Sequence, residues 1–206
     1  MMPVMAITDS EQGSITEAEF VKVTMITSDG QAVPTRPVID DEHRDVDIHL
    51  RRRFMSLAVQ CKSVLRLEVQ GRQHMLHISF GLRPPFLTSR LFWYFFAHFD
   101  LKSMTFTEPV FLVPSTFVHK QGGRGALMPN GRIPFQVRAN LGPKSKDKWT
   151  PYRLSLAELR PKIVEILKAA GSKDLELGLD ALRIEPGVVL LTKRRKSPRT
   201  RLRRAA

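Results

Sequence analysis

Three residues in the stretch Arg44–Ser63 have the types and spacing for phosphodiester chemistry: Asp47, Gln60 and Lys62. The stretch reads as two short strands joined by a basic turn at Arg51-Arg52-Arg53. Side chains alternate faces along a strand. Ile48, Leu50, Leu57, Val59 and Cys61 then fall on one face, and Asp47, His49, Ser56, Ala58, Gln60 and Lys62 on the other. Paired as a hairpin, the strands gather an acid, a carboxamide and a lysine on one side. A carboxylate can hold a divalent cation, and a backbone carbonyl beside it can add a ligand. A lysine can orient the attacking water or stabilise developing phosphate charge. The same residues would also serve as a cross-strand ion pair on a solvated face.

The arrangement of Asp47 followed by Gln60-x-Lys62 on consecutive strands resembles the PD-(D/E)XK nuclease superfamily, in its glutamine-containing variants. The resemblance covers roughly the first 115 residues. It implies a restriction-endonuclease-like fold, Mg²⁺ or Mn²⁺ as cofactor, and DNA as substrate. It also implies a glutamate on the helix before the first strand, a place open to Glu19 or Glu17. On this reading Asp47, Glu19 and the Cys61 carbonyl hold the metal, Gln60 supplies a neutral ligand or holds water, and Lys62 steadies the nucleophile. Two departures stand out: Gln60 replaces an anionic ligand, and no glycine precedes Asp47 where many relatives have one. An alternative follows, a catalytically inactive nuclease-fold protein that binds nucleic acid, or a partner in a phage, mobile-element or defence system.

Residues 1–13 read as a lead, and a helix opens near Ser14 or Thr16 with Glu17 and Glu19 in its first turn. Ala32–Val38 reads as an edge strand, because Pro34 and Pro37 exclude a central one. His74–Phe80 reads as a strand, Arg90–His98 as an apolar helix, and Glu108–Pro114 as a buried strand. A crossover helix would set that last strand beside its neighbour. Ile133–Asn140 reads as a strand, and Ser155–Ala170 as a helix with Glu158 completing a capping box and Gly171 ending it. Val188–Leu191 suggests a final short strand. The expected fold class is α/β, a mixed central sheet flanked by helices, with a helical extension and basic tail. The expected divisions are residues 1–13, a core at 14–118, an extension at 119–192 and a tail at 193–206.

Charge points to the partner. The 206 residues carry a formal net charge of +13. Eight basic residues fall between Lys193 and Arg204 with no acid among them: Lys193, Arg194, Arg195, Lys196, Arg199, Arg201, Arg203 and Arg204. Taking those eight from +13 leaves +5, so the tail carries most of the polyanion signal. It would add salt-dependent affinity for nucleic acid through counterion release. One cysteine excludes a disulfide framework and a cysteine-rich zinc site. Without a signal-peptide pattern or an apolar run long enough to span a bilayer, a cytoplasmic protein with no membrane partner is expected.

Overall fold

The computed structural model describes residues 7–37, 44–51, 55–121 and 127–182, with side chains as far as Ala170. The chain divides into two units at Gly171/Ser172, and both sheets lie in the first. Helix α1 (Asp9–Thr27) leads into strands β1 (Ala32–Thr35), β2 (Val46–Leu50) and β3 (Ser56–Val64). Strands β4 (Glu68–Gln70), β5 (Gln73–Leu82), β6 (Phe92–Asp100) and β7 (Thr105–Pro114) follow. Helix α2 (Ser115–Gln121), strand β8 (Ile133–Asn140), the two-residue strand β9 (Arg153–Leu154) and helix α3 (Leu156–Leu182) complete the order.

A six-stranded sheet runs β1-β2-β3-β6-β7-β9, and a three-stranded sheet runs β4-β5-β8. Strands β3 and β6 pair in parallel while every other pair is antiparallel, so the large sheet is mixed. One of its faces buries Val59, Cys61, Phe95 and Leu112 against Phe20 of α1 and Leu159, Ile163 and Leu167 of α3. The other buries Ala58, Tyr94, Phe96 and Val113 against Leu76, Ile78, Phe135 and Val137 of the small sheet. The result is three layers, helices on sheet on sheet, around two apolar cores. This is the α/β class expected, with a mixed central sheet flanked by helices.

Four local expectations change. Helix α1 starts at Asp9, because Thr8 and Glu11 form a reciprocal capping box earlier in the chain. Thr16, expected as a cap, is instead internal and buried. The aromatic run expected as a helix at Arg90–His98 is strand β6. A short run apolar on both faces fits a buried central strand as well as a helix, and here both faces of β6 are covered. The parallel link from β3 to β6 is made by β4 and β5 rather than by a crossover helix. Finally, helical backbone continues past Gly171 to Leu182. Residues expected as an extension supply β8 to the small sheet and β9 to the edge of the large one.

Asp147 fastens the loop between β8 and β9. Its carboxylate accepts from the amides of Asn140 (2.7 Å), Trp149 (2.9 Å) and Thr150 (3.0 Å), seating the Trp149 ring, which is 1% exposed, in the second core. Burial works to raise the Asp147 pKa, but these hydrogen bonds outweigh it and hold the carboxyl below its ordinary value. Among the described residues, no helix is long and apolar enough to cross a membrane.

Two predictions follow for stability. Phe95 is 1% exposed and packs 4.6 Å from Phe20 and 5.0 Å from Phe106, centroid to centroid. Phe95→Ala should cost about 3–5 kcal/mol by urea unfolding, and a loss under 1 kcal/mol would show that the helix-side core is not built around it. Because the folded-state pKa of Asp147 is lowered, its contribution is complete above the unfolded-state value and is lost as pH falls through the folded one. The stability gap between wild type and Asp147→Ala should therefore be full at neutral pH and close on acidification, and a gap independent of pH would contradict this.

Candidate functional site at the open end of the β2–β3 hairpin

The hairpin forms as expected, and its register decides which side chains meet. Val46 lies opposite Val59, Asp47 opposite Ala58, and Ile48 opposite Leu57. Asp47 is therefore diagonal to Gln60, while Asp45 is the residue that comes level with it. Asp45 donates its amide to the Val59 carbonyl (3.1 Å), and its Oδ2 accepts from the Cys61 amide (2.7 Å). Strand β3 runs on for three residues beyond Cys61, to Val64, without β2 beside it. In an antiparallel strand the N–H and C=O of one residue leave on the same side. The Cys61 carbonyl thus faces the side that β2 has vacated. Farther along, Gln12 of α1 donates to the Ser63 carbonyl (2.8 Å), which closes that side from the helix.

Gln60 and Lys62 share the sheet face of Asp47, as expected from the alternation. Gln60 is 3% exposed, and its Oε1 finds no hydrogen-bond partner among the described residues. Asp47 Oδ1 is in the same condition, while its Oδ2 lies 3.7 Å from an Arg44 guanidinium nitrogen. Lys62 is partly exposed and lines an open cleft of about 1060 Å³. Glu17, Gln12, Cys61, Ser63 and Ser79 line it too, so the cleft runs from α1 past the end of β3 to β5.

The two candidate helix acids separate in space. Glu17 faces the cleft with Lys62. Glu19 is 7% exposed, accepts from Thr105 Oγ1 at 2.7 Å and pairs with Lys22, which ties α1 to the start of β7. It does not line the cleft. The Cys61 thiol senses the charges around it. Burial pushes its pKa well up, the carboxylates of Asp45 and Glu17 push it further, and Lys62 and Arg36 act against them. Asp45 is bonded to the Cys61 amide, and Glu17 and Lys62 line the cleft together with Cys61.

The wall beneath Gln60 is neutral. Tyr94 is its register partner on β6. The Tyr94 hydroxyl lies 2.9 Å from His119 Nε2, and His119 Nδ1 lies 2.7 Å from Thr88 Oγ1. Burial lowers the His119 pKa to about 4, so the imidazole is uncharged at neutral pH. Tyr94 is pushed up by burial, with the Asp45 charge adding to the effect.

The donor set fits a hard divalent cation: carboxylate, carboxamide and carbonyl oxygens, two of them buried without a partner. Among the described residues no group of three or more His, Cys, Asp or Glu side chains is placed to hold a metal, so any such site would lean on the carbonyl and on Gln60. Asp45 is the residue that sequence reading did not assign. The signal for it was the strand period, since Asp45 and Asp47 share a face and the pairing register decides between them. The basic tail, Lys193 to Arg204, and the short strand expected at Val188–Leu191 lie outside the described residues.

No protein-family profile matches this sequence, and no curated protein does. Among solved structures, the bacterial homing endonuclease I-Ssp6803I matches with a TM-score of 0.50 and 14% identity, over 82% of this chain and 99% of that one. A crystal structure of MepB matches at a TM-score of 0.33 and 9% identity, over 66% of this chain and 95% of that one. The first likeness shows a nuclease-like fold.

A buried carboxamide oxygen without a partner costs stability. Gln60→Leu should raise the unfolding free energy by about 1–3 kcal/mol, measured by urea denaturation in the absence of divalent cations. A fall of similar size would show that Gln60 is instead a satisfied part of the core.

Proposed function

We propose that the chain is a metal-dependent DNA endonuclease of the PD-(D/E)XK type. The observation that carries this reading is the convergence on Cys61. The Asp45 carboxylate is fixed to its amide, its carbonyl faces the vacated side, the Gln60 oxygen lies buried on one flank, and Lys62 and Glu17 line the adjoining cleft. Asp45 or Asp47, the Cys61 carbonyl and Gln60 would hold a Mg²⁺ or Mn²⁺ ion, with Glu17 reaching it from α1. Glu19, first expected there, is occupied by Thr105 and Lys22. The ion would supply Lewis-acid activation of the phosphate and of the attacking water.

The chain's own groups do the positioning. Lys62, half in solvent at the cleft wall, places a positive charge beside the scissile phosphate and donates to the water that attacks it. Asp45 keeps one carboxylate oxygen on the Cys61 amide, which fixes where the other can point. The uncharged Tyr94–His119 pair gives Gln60 a rigid floor without adding a competing cation. The likeness in fold to a homing endonuclease agrees with this reading.

A second reading has its own observation. With Gln60 where an acid would bind metal more strongly, and no cluster of three acidic or histidine side chains among the described residues, the fold would serve as a nucleic-acid binder without cleavage.

Cleavage of linear and supercoiled DNA separates the two. With Mg²⁺ or Mn²⁺, wild type should cut, while Lys62→Ala and Asp45→Ala should each lose about a hundredfold or more with circular dichroism unchanged. Asp47→Ala tests which aspartate bears the metal. Cutting that is unaffected by Lys62→Ala would remove the mechanism. DNA binding without cutting would favour the second reading.

A further inference from the structure

The small sheet has a second face that the candidate site does not use. Along β5 and β8 the pairs Leu76↔Ala139 and Ile78↔Val137 point into the core. The alternating pairs His77↔Arg138 and Ser79↔Gln136 point outward, and so do Gln73 of β5 and Asn140 of β8, whose side chains are hydrogen-bonded to each other at 2.8 Å. Gln73, Ser79, Gln136 and Arg138 are exposed. The outward face is thus a row of carboxamides, a hydroxyl, an imidazole and a guanidinium, with Glu68 of β4 set beside His77 and Arg138.

Carboxamides and arginine are the groups that read base edges, asparagine or glutamine on adenine and arginine on guanine. A two-stranded antiparallel ribbon, as β5 and β8 form, is of a size that enters the major groove of B-form DNA. Arg138 makes a single 3.2 Å contact with Glu68, which leaves most of its guanidinium fork available. Ser79 on this face also lines the cleft that holds Lys62, so the two surfaces are continuous. Arg66 at the cleft and Arg72 in the β4–β5 turn, both exposed, flank the ribbon where phosphates would run.

We propose that the outward face of the β4–β5–β8 sheet reads the sequence of duplex DNA through the major groove, with Gln136 and Arg138 as specificity-determining residues. The proposal rests on the nuclease reading only for the cleavage step, since sequence-selective binding is a property of this face alone. An A-form RNA duplex, whose major groove is too narrow for side chains, should compete poorly.

The test is selection from a randomised DNA duplex pool by the full chain, scored for binding and, with Mg²⁺, for cutting. Wild type, Gln136→Ala, Arg138→Ala and Lys62→Ala are compared, each checked for an unchanged unfolding midpoint. Wild type should select a defined sequence. Arg138→Ala and Gln136→Ala should each relax the preference at one or two positions by about tenfold to a hundredfold, while still cutting their best sites. Lys62→Ala should keep the preference and lose cutting. If wild type selects a sequence and both face variants select it equally well, the proposal is overturned and the nuclease reading stands. If selective binding is relaxed by the face variants but nothing is cut, the proposal holds and the nuclease reading fails. A wild type with no duplex preference, or one displaced equally by A-form RNA, overturns the proposal.

Discussion

The hydrogen bond from the Cys61 amide to the Asp45 carboxylate marks the place where the β2–β3 pairing stops. Up to that point the ladder satisfies both edges of β3, and beyond it β3 runs on to Val64 paired with β6 but without β2 on its other edge. Backbone groups left without a partner on a buried strand edge are costly. Here a side chain finishes the ladder, which brings a carboxylate to the strand end and leaves a carbonyl turned to the same side.

The three layers hold this strand end in place. On the helix side, Phe20 packs on Phe95 and sets the distance between α1 and the sheet, so Gln12 reaches the Ser63 carbonyl and Glu17 reaches the cleft. On the other side, the small sheet packs against Tyr94 and Phe96, and Gln60, level with Tyr94 on the neighbouring strand, is 3% exposed. That burial is unfavourable for a carboxamide with a bare oxygen. Stability given up at one polar residue is a common mark of a functional site, and Gln60 is such a residue in β3.

The hairpin, its alternation and the face shared by Asp47, Gln60 and Lys62 were legible because a period of two is unambiguous where one face is apolar. The register was not legible. It depends on the turn, and a shift of two residues exchanges Asp45 for Asp47 without disturbing the pattern. The choice between Glu17 and Glu19 was closed for a similar reason: it depends on how α1 is rotated on the sheet, which the Phe20–Phe95 contact sets across 75 residues of sequence. The aromatic run at β6 misled because an all-apolar segment has no period to read. The small sheet, whose strands β5 and β8 lie far apart in sequence, left only two isolated strand signals. The alternation in β8 shows its polar face, but only the pairing with β5 turns two half-rows into one surface.

Mn²⁺ binding tests whether the end of the hairpin is a cation site without reference to any substrate. Free Mn²⁺ would be followed by electron paramagnetic resonance as it is titrated into wild type, Asp45→Ala, Asp47→Ala and Lys62→Ala. Saturable binding to wild type is expected, lost in at least one of the two aspartate variants and kept in Lys62→Ala. Equal Mn²⁺ binding by wild type and both aspartate variants would show that the hairpin end holds no cation.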